Sequence, residues 1–280
     1  MPERRHVIPL SDGLALAFGD APEHAKLYAT SHLQRGFRLM DNGEDLAEEA
    51  VGFGVPVVRM GLQTLFPGSV AMEWPSDGSA APIRARYRLD RVEKLAQAGS
   101  QPVDGRLFYT AKNLLAEVIR RWPASRNALT ATSSALRRIF RWETTYADAG
   151  FATEVEVTYR IDAEAGRLSV EIEAQNLPAV ITEVVMMNEQ GAHTFDRYGD
   201  SSGLRLQGKR IGCWDEVRGE AAWFESSRRK VAFKLGQAEG ARLFRGRELV
   251  GSRLAWAGFG YSFASSTRRL RHDVTITRAA

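Results

Sequence analysis

The most constraining feature of this sequence is a pair of strictly alternating segments near the middle of the chain. In residues 151–162 and again in 167–177, apolar side chains alternate with charged or hydroxyl side chains, the period of a half-buried strand. If residues 163–166 form the loop, Asp162 pairs with Arg167, and every apolar residue then falls on the same face. One register satisfies both faces, so the segments predict an antiparallel hairpin.

Short alternating segments separated by glycine-containing turns fill the rest of the chain, as in sandwich folds. Two segments have helical spacing instead: residues 111–122, which end before Pro123, and residues 133–140. Residues 44–50 could form one or two helical turns, and Pro56 predicts that residues 51–57 form an edge strand or the start of one. We therefore expect a mainly β protein, a single domain over residues 1–280. Its architecture would be a large antiparallel β-sandwich with one or two short helices.

Composition narrows the functional classes. The chain has 280 residues, of which 44% are hydrophobic and 26% charged, enough to bury a large core. No stretch reaches the ~20 apolar residues of a membrane span, and Pro9 and Asp12 interrupt the first apolar segment, so we expect no signal peptide, no membrane association and a cytoplasmic location. A single cysteine, Cys213, excludes an internal disulfide and zinc sites built on paired cysteines. We predict no metal and no cofactor.

Basic residues exceed acidic ones by four, but they are dispersed along the chain as short pairs. Nucleic-acid binding requires basic residues gathered on one face together with aromatic residues. Charges on solvated strand edges and turns explain the dispersed pairs more simply. We therefore predict no nucleic-acid partner, and we keep a homodimer as a candidate assembly.

The strongest candidate for a reactive site follows an apolar segment, residues 180–187, that is predicted to be a strand buried between two layers. Polar residues at the end of such a strand lie at the rim of a packed core. We predict His193 as a catalytic acid or base, with Glu189 or Asp196 orienting or balancing it. Arg197 would bind a carboxylate or phosphate of the substrate. The alternative is a turn whose charged side chains are solvated.

Aromatic residues near loops are candidates for stacking on a sugar ring. Trp74 precedes Pro75, and Trp256 lies near Gly258. Both are predicted substrate-binding residues, although aromatic residues in strands are more often part of the core. The glycine pairs at positions 52 and 54 and at 258 and 260 lie inside strand patterns and so do not indicate a phosphate-binding loop.

The chain resembles the galactose mutarotase (aldose 1-epimerase) superfamily of β-supersandwich proteins. The resemblance lies in the chain length, in the sequence 54–56 (Gly-Val-Pro) leading to Phe66, in the central strands, and in an apolar strand ending at Asn188 with His193 shortly after it. It implies a sugar ligand, His193 as an acid beside a carboxylate, and Asn188 as a substrate-binding residue. His24 and His32 lie outside the motif context of the family's second histidine.

These observations lead to a hypothesis with two alternatives. The leading hypothesis is a carbohydrate-active or carbohydrate-binding β-sandwich protein, which would be an epimerase or mutarotase-like isomerase if it is an enzyme. The first alternative is a non-catalytic sugar-binding or assembly module. The second is a lipocalin-like hydratase or cyclase acting on an apolar substrate, which would require an apolar cavity.

Overall fold

The computed structural model of the protein describes residues 6–19, 35–48, 50–61, 63–75, 81–97, 142–174, 177–212, 214–250 and 254–278. Nearly all regular structure in these ranges is β-strand, accompanied by one short 3-10 helix, Gly208–Ile211. None of the described residues belongs to a helix long and apolar enough to cross a membrane. The helices predicted at 111–122 and 133–140, like His24, His32 and Cys213, lie outside the described residues.

The strands form one small and one very long antiparallel sheet. The small sheet contains, in spatial order, β1 (His6–Pro9), β2 (Leu14–Phe18), β3 (Arg38–Asp41) and β4 (Glu44–Asp45). The strands of the long sheet are, in chain order, β5 (Gly52–Met60), β6 (Gln63–Glu73), β7 (Ile83–Gln97), β8 (Trp142–Asp162), β9 (Arg167–Glu173), β10 (Ile181–Gly191), β11 (Arg197–Asp200), β12 (Arg205–Gln207), β13 (Asp215–Glu216), β14 (Ala221–Glu225), β15 (Val231–Gly236), β16 (Arg242–Val250), β17 (Leu254–Ala264) and β18 (Arg269–Arg278).

The long sheet folds back on itself, so that its two ends face each other. Its spatial order is β12-β11-β14-β15-β18-β9-β8-β7-β6-β5-β10-β17-β16-β13. Phe233 of β15 nevertheless packs against Phe259 of β17 and Phe53 of β5, with ring centroids 5.9 and 5.2 Å apart. Strands from opposite halves of one sheet therefore share a core, and the predicted large antiparallel β-sandwich is confirmed.

The small sheet is fixed to the long one by aromatic and charged contacts. Phe37, just before β3, packs edge-on against Tyr159 of β8 at 5.0 Å. At the other end of β3, Asp41 forms an ion pair with Arg278 of β18 at 2.6 Å. The last strand of the chain thus anchors the first sheet.

The central hairpin has the register predicted from its sequence. β8 and β9 pair Asp162 with Arg167, Thr158 with Glu171 and Glu156 with Glu173. Apolar side chains of both strands are buried on one face. The alternating pattern was sufficient because a shift by one residue would have moved every apolar side chain into water.

Two local predictions are wrong. β5 is an interior strand between β10 and β6, although it contains Pro56. β6 pairs with β5 only at Val58–Met60, so Pro56 has a hydrogen-bonded neighbour on one side alone, that of β10. The proposed helical turn at 44–50 is instead the short strand β4 followed by a turn, in which Glu48 has a φ of 53°.

Candidate functional site

Strand β10 directs its polar residues to opposite sides of the long sheet. Asn188 and Gln190 are fully buried and point inward. The side-chain oxygen of Asn188 accepts a hydrogen bond from the Gly54 N–H at 3.1 Å, and Gln190 bonds to the backbone of Leu39 and Phe37 in the small sheet. Glu189 and Gly191 therefore lie on the other side of β10, which we call the outer face.

The inward position of Asn188 separates it from the other predicted residues. Its side-chain oxygen also lies 3.1 Å from Nε2 of His272 on β18. Burial lowers the pKa of His272 to about 3, so its imidazole is neutral and can donate to Asn188. This arrangement fixes the position of β5 against β10 and β18, and substrate binding by Asn188 stays a prediction.

Glu189 is the most perturbed carboxyl group on the outer face. Its side chain is 4% exposed, and both of its cross-strand neighbours, Gly52 and Gly258, are glycines. Burial raises the pKa of Glu189 to about 8, in spite of a hydrogen bond from the backbone of Val51, and the nearby charge of Glu248 raises it further. The carboxyl group is consequently protonated at neutral pH and can act as a proton donor.

Two stacked tryptophans lie beside Glu189 on this face. Trp256 precedes Gly258 by two positions and pairs across the strands with Gly191 and Glu248. Its ring is 5.2 Å from that of Trp214, at an interplanar angle of 29°. Trp256 is 7% exposed and Trp214 is 38% exposed, so Trp214 presents most of the accessible aromatic surface.

Glycines on β16 and β17 make room for these two rings. A Cβ atom at Gly246 would lie 2.6 Å from the Trp256 ring, and one at Gly260 would lie 2.6 Å from the Trp214 ring. Gly246 and Gly260 therefore have a packing role on the outer face. Flat aromatic surfaces of this kind are suited to the apolar faces of sugar rings.

His193 forms a pair with a carboxylate at the edge of the same face. Its Nδ1 lies 2.6 Å from Oε2 of Glu48, and its side chain is 60% exposed. Glu48 also accepts hydrogen bonds from the backbone N–H groups of His193 and Thr194. A Cβ atom added at Gly191 would lie 2.5 Å from Oε1 of Glu48. Glu48 thus fixes the imidazole ring and leaves Nε2 facing solvent.

The turn that carries His193 is also held by a cation. Arg247 of β16 donates from Nη2 to the carbonyl oxygen of Ala192 at 2.7 Å and from Nε to that of Phe195 at 3.3 Å. The turn is therefore fixed on both sides of His193. A histidine held in this way can accept or deliver a proton from a defined position.

The other predicted site residues lie elsewhere. Asp196 accepts hydrogen bonds from Ser227 and Gln207, and these bonds outweigh partial burial and leave its pKa below the ordinary value. Arg197 lies on β11, in the opposite half of the sandwich from Glu189. Trp74 stacks on His6 of the small sheet at 3.9 Å. Glu189 and Trp256 therefore share the outer face of neighbouring strands, and His193 lies in the turn that follows β10.

The sequence did not indicate three further residues at the outer face: Glu48, Trp214 and Glu248. Glu48 contacts His193 across 145 positions of sequence, and no local pattern signals such a contact. Glu248 lies on β16, which pairs with β17, and Trp214 directly precedes β13, which pairs with β16. In the ranges that the structure describes, no group of three or more His, Cys, Asp or Glu side chains is arranged to hold a metal ion.

Comparison with solved structures shows a likeness to α-N-acetylgalactosaminidase NagBb from Bifidobacterium bifidum. The likeness is one of fold. The GalNAc complex of NagBb superposes with a TM-score of 0.50 and 12% sequence identity, covering 99% of this chain but 36% of NagBb. The ligand-free enzyme and a quadruple mutant give TM-scores of 0.46 and 0.47 at 11% identity, with the same coverage. No protein-family model and no curated protein matches the sequence.

Proposed function

We propose that the protein is a carbohydrate-active β-sandwich protein that binds a sugar on the outer face and interconverts its anomers by acid–base catalysis. The observation that carries this proposal is a carboxyl group, Glu189, that is protonated at neutral pH beside the stacked Trp256. The histidine–carboxylate pair of His193 and Glu48 supplies the complementary group. The fold shared with NagBb, a carbohydrate-active enzyme, is consistent with it.

Interconversion of anomers needs one acid and one base. In the proposed reaction Glu189 protonates the ring oxygen while the bond from that oxygen to C1 breaks, and Nε2 of His193 takes the proton of the C1 hydroxyl group. The product is an open-chain aldehyde, which rotates about the C1–C2 bond and closes with both proton transfers reversed. Glu48 stabilises the imidazolium that forms in between. The raised pKa of Glu189 supports its role as the acid, which leaves the role of the base to His193.

The test is the rate at which α- and β-anomers of galactose, glucose and N-acetylgalactosamine exchange, measured by polarimetry or NMR. We expect Glu189→Gln and His193→Gln each to lower the catalysed rate by about 10²–10⁴-fold, the usual contribution of a general acid or base. Glu154→Gln, which removes an exposed carboxylate on β8, is the matched control. Wild-type rates in both site variants would refute the assignment.

A second candidate function is sugar binding without turnover. The low exposure of Glu189 and Trp256, against the high exposure of Trp214 and His193, favours it, since a binding surface requires only the exposed groups. It predicts that calorimetry detects a sugar whose affinity falls in Trp214→Ala and is unchanged in Glu189→Gln, without acceleration of anomer exchange by the wild-type protein.

The third hypothesis, an apolar substrate in a lipocalin-like cavity, receives no support from the described residues. Two surface cavities of the described residues have volumes of about 740 and 500 Å³. Arginine, lysine, aspartate and glutamine side chains contribute to their walls. Aromatic rings fill the centre of the sandwich instead.

A further inference from the structure

The cavity of about 740 Å³ is an open groove at one edge of the long sheet, on the side that faces away from the core. It is bounded by β11, β12, β14 and the 3-10 helix. The side chains that matter for its chemistry are Arg197, Arg205, Gln207, Arg210, Trp223 and Glu225. We call this set the arginine groove.

The strand register explains how these side chains meet. On β11, Arg197 lies between Gln207 of β12 and Glu225 of β14. Two residues further along, Gly199 lies between Arg205 and Trp223. Cross-strand neighbours on one face are close enough to contact each other. The three strands therefore form two parallel rows, the first centred on Arg197 and the second on Gly199.

Arg205 is held flat in the second row. Its guanidinium carbon lies 4.5 Å above the centroid of the Trp223 ring, and its Nη1 donates to the carbonyl oxygens of Asp200 and Leu204, both at 3.0 Å. A Cβ atom at Gly199 would lie 2.7 Å from the Trp223 ring and 3.0 Å from Nη1. Glycine at this position therefore permits the stacked pair, and the guanidinium is oriented before a ligand arrives.

The groove carries an excess of positive charge. Its three arginines face one carboxylate, that of Glu225, which approaches Nη1 of Arg197 to only 3.9 Å. Arg210 is exposed at the end of the 3-10 helix and has no carboxylate within 4 Å among the described residues. Guanidinium groups that are fixed but incompletely neutralised bind oxyanions by paired, charge-assisted hydrogen bonds.

We propose that the arginine groove binds an acidic saccharide through its carboxylate or sulfate groups. The anionic character of the ligand follows from the three arginines, and its saccharide character rests on the proposed function. The volume is several times that of an isolated oxyanion, so the anionic group is part of a larger molecule. Single-stranded nucleic acid is disfavoured because it needs open aromatic faces for its bases, and Arg205 covers that of Trp223.

The groove and the outer face are separate sites. The residues that line the groove lie on β11, β12, β14 and the 3-10 helix, whereas Glu189, Glu248 and Trp256 of the outer face lie on β10, β16 and β17. Loss of binding in the groove and loss of anomer exchange at Glu189 can therefore be measured independently in one protein.

The test is isothermal titration calorimetry of the full chain with four probes. These are a heparin-derived tetrasaccharide, tetragalacturonate, the neutral maltotetraose and a ten-residue oligodeoxythymidine. The protein variants are Arg197→Gln and Arg210→Gln, each confirmed as folded by circular dichroism. Arg84→Gln, which replaces an exposed arginine of β7, is the control that removes the same charge elsewhere.

We expect an acidic tetrasaccharide to bind more tightly than maltotetraose, and we expect its affinity to fall with added salt. Each groove variant should weaken that binding by roughly tenfold or more, as loss of a charge-assisted hydrogen bond does, and the Arg84 variant should not. The sulfated and carboxylated probes together identify which anionic group is preferred. Tighter binding of the oligodeoxythymidine, equal affinity in all variants or no binding of either acidic probe would overturn the proposal.

Discussion

Replacement of Glu189 by glutamine should stabilise the protein, and the gain should grow with pH. Burial raises the pKa of this carboxyl group from its ordinary value of 4.5 to about 8. Below pH 4.5 both the folded and the unfolded states hold the proton, and the raised pKa has no cost. Between pH 4.5 and 8 only the folded state holds it, so the free energy of unfolding falls as the pH rises.

The magnitude follows from the pKa difference. Each pH unit in this window removes about 1.4 kcal/mol from the free energy of unfolding, so the total loss by pH 8 is about 5 kcal/mol. The glutamine side chain has nearly the same shape as glutamate, and its oxygen can accept the hydrogen bond from the Val51 N–H. It carries no group that ionises between pH 4 and 9. The variant should therefore equal the wild-type protein near pH 4 and exceed it by several kcal/mol at pH 8, a large fraction of ordinary domain stability.

The assay is urea unfolding at half-unit steps from pH 4 to 9, followed by tryptophan fluorescence. Glu154→Gln, the exposed control on β8, should follow the wild-type profile throughout. A variant whose stability difference does not change with pH, or is largest in acid, would show that Glu189 is ionised in the folded protein. A stabilising variant that also stops anomer exchange would mark a site where stability is lost to function.

Three further substitutions test the packing, each by urea unfolding at pH 7. Tyr159→Phe removes the hydroxyl that donates to the Gly54 carbonyl at 2.6 Å, and we expect a loss of about 1–3 kcal/mol; no loss would mean that water replaces the bond. Gly258→Ala places a Cβ atom 2.7 Å from the Cα of Glu189 and closer still to the backbone carbonyl oxygen of Asn188. We therefore expect a loss of about 1–3 kcal/mol in the free energy of unfolding, and an unchanged urea midpoint would contradict this close approach. Phe233→Ala should cost about 3–5 kcal/mol, because the ring contacts both halves of the sheet; a loss under 1 kcal/mol would argue against a shared core.

The alternation of polar and apolar residues was sufficient to predict the hairpin of β8 and β9 and its register, because the two faces of each strand differ from each other in polarity. It failed for β5, where Pro56 suggested an edge strand. A proline is tolerated where its backbone nitrogen does not need a partner in the neighbouring strand. β6 pairs with β5 only at Val58–Met60, so no β6 residue pairs with Pro56. The extent of pairing between two strands is a property of the whole sheet.

The candidate site divides in the same way. The sequence singled out Glu189 and His193, which flank the end of a single apolar strand. It placed Trp256 near a loop, whereas Trp256 is buried within β17. It did not identify Glu48, whose carboxylate reaches His193 from the turn after the small sheet. It grouped Asn188 with Glu189, although adjacent residues of a strand point to opposite faces.

The sequence by itself determined the strand content, the central hairpin with its register and the strand that carries Glu189, because these depend on the local alternation of polar and apolar residues. Only the tertiary structure decided which carboxyl group is protonated, which carboxylate orients His193, and that Arg197 lies in a separate groove. Those properties arise from burial and from contacts between strands far apart in the chain, and local sequence carries no record of either.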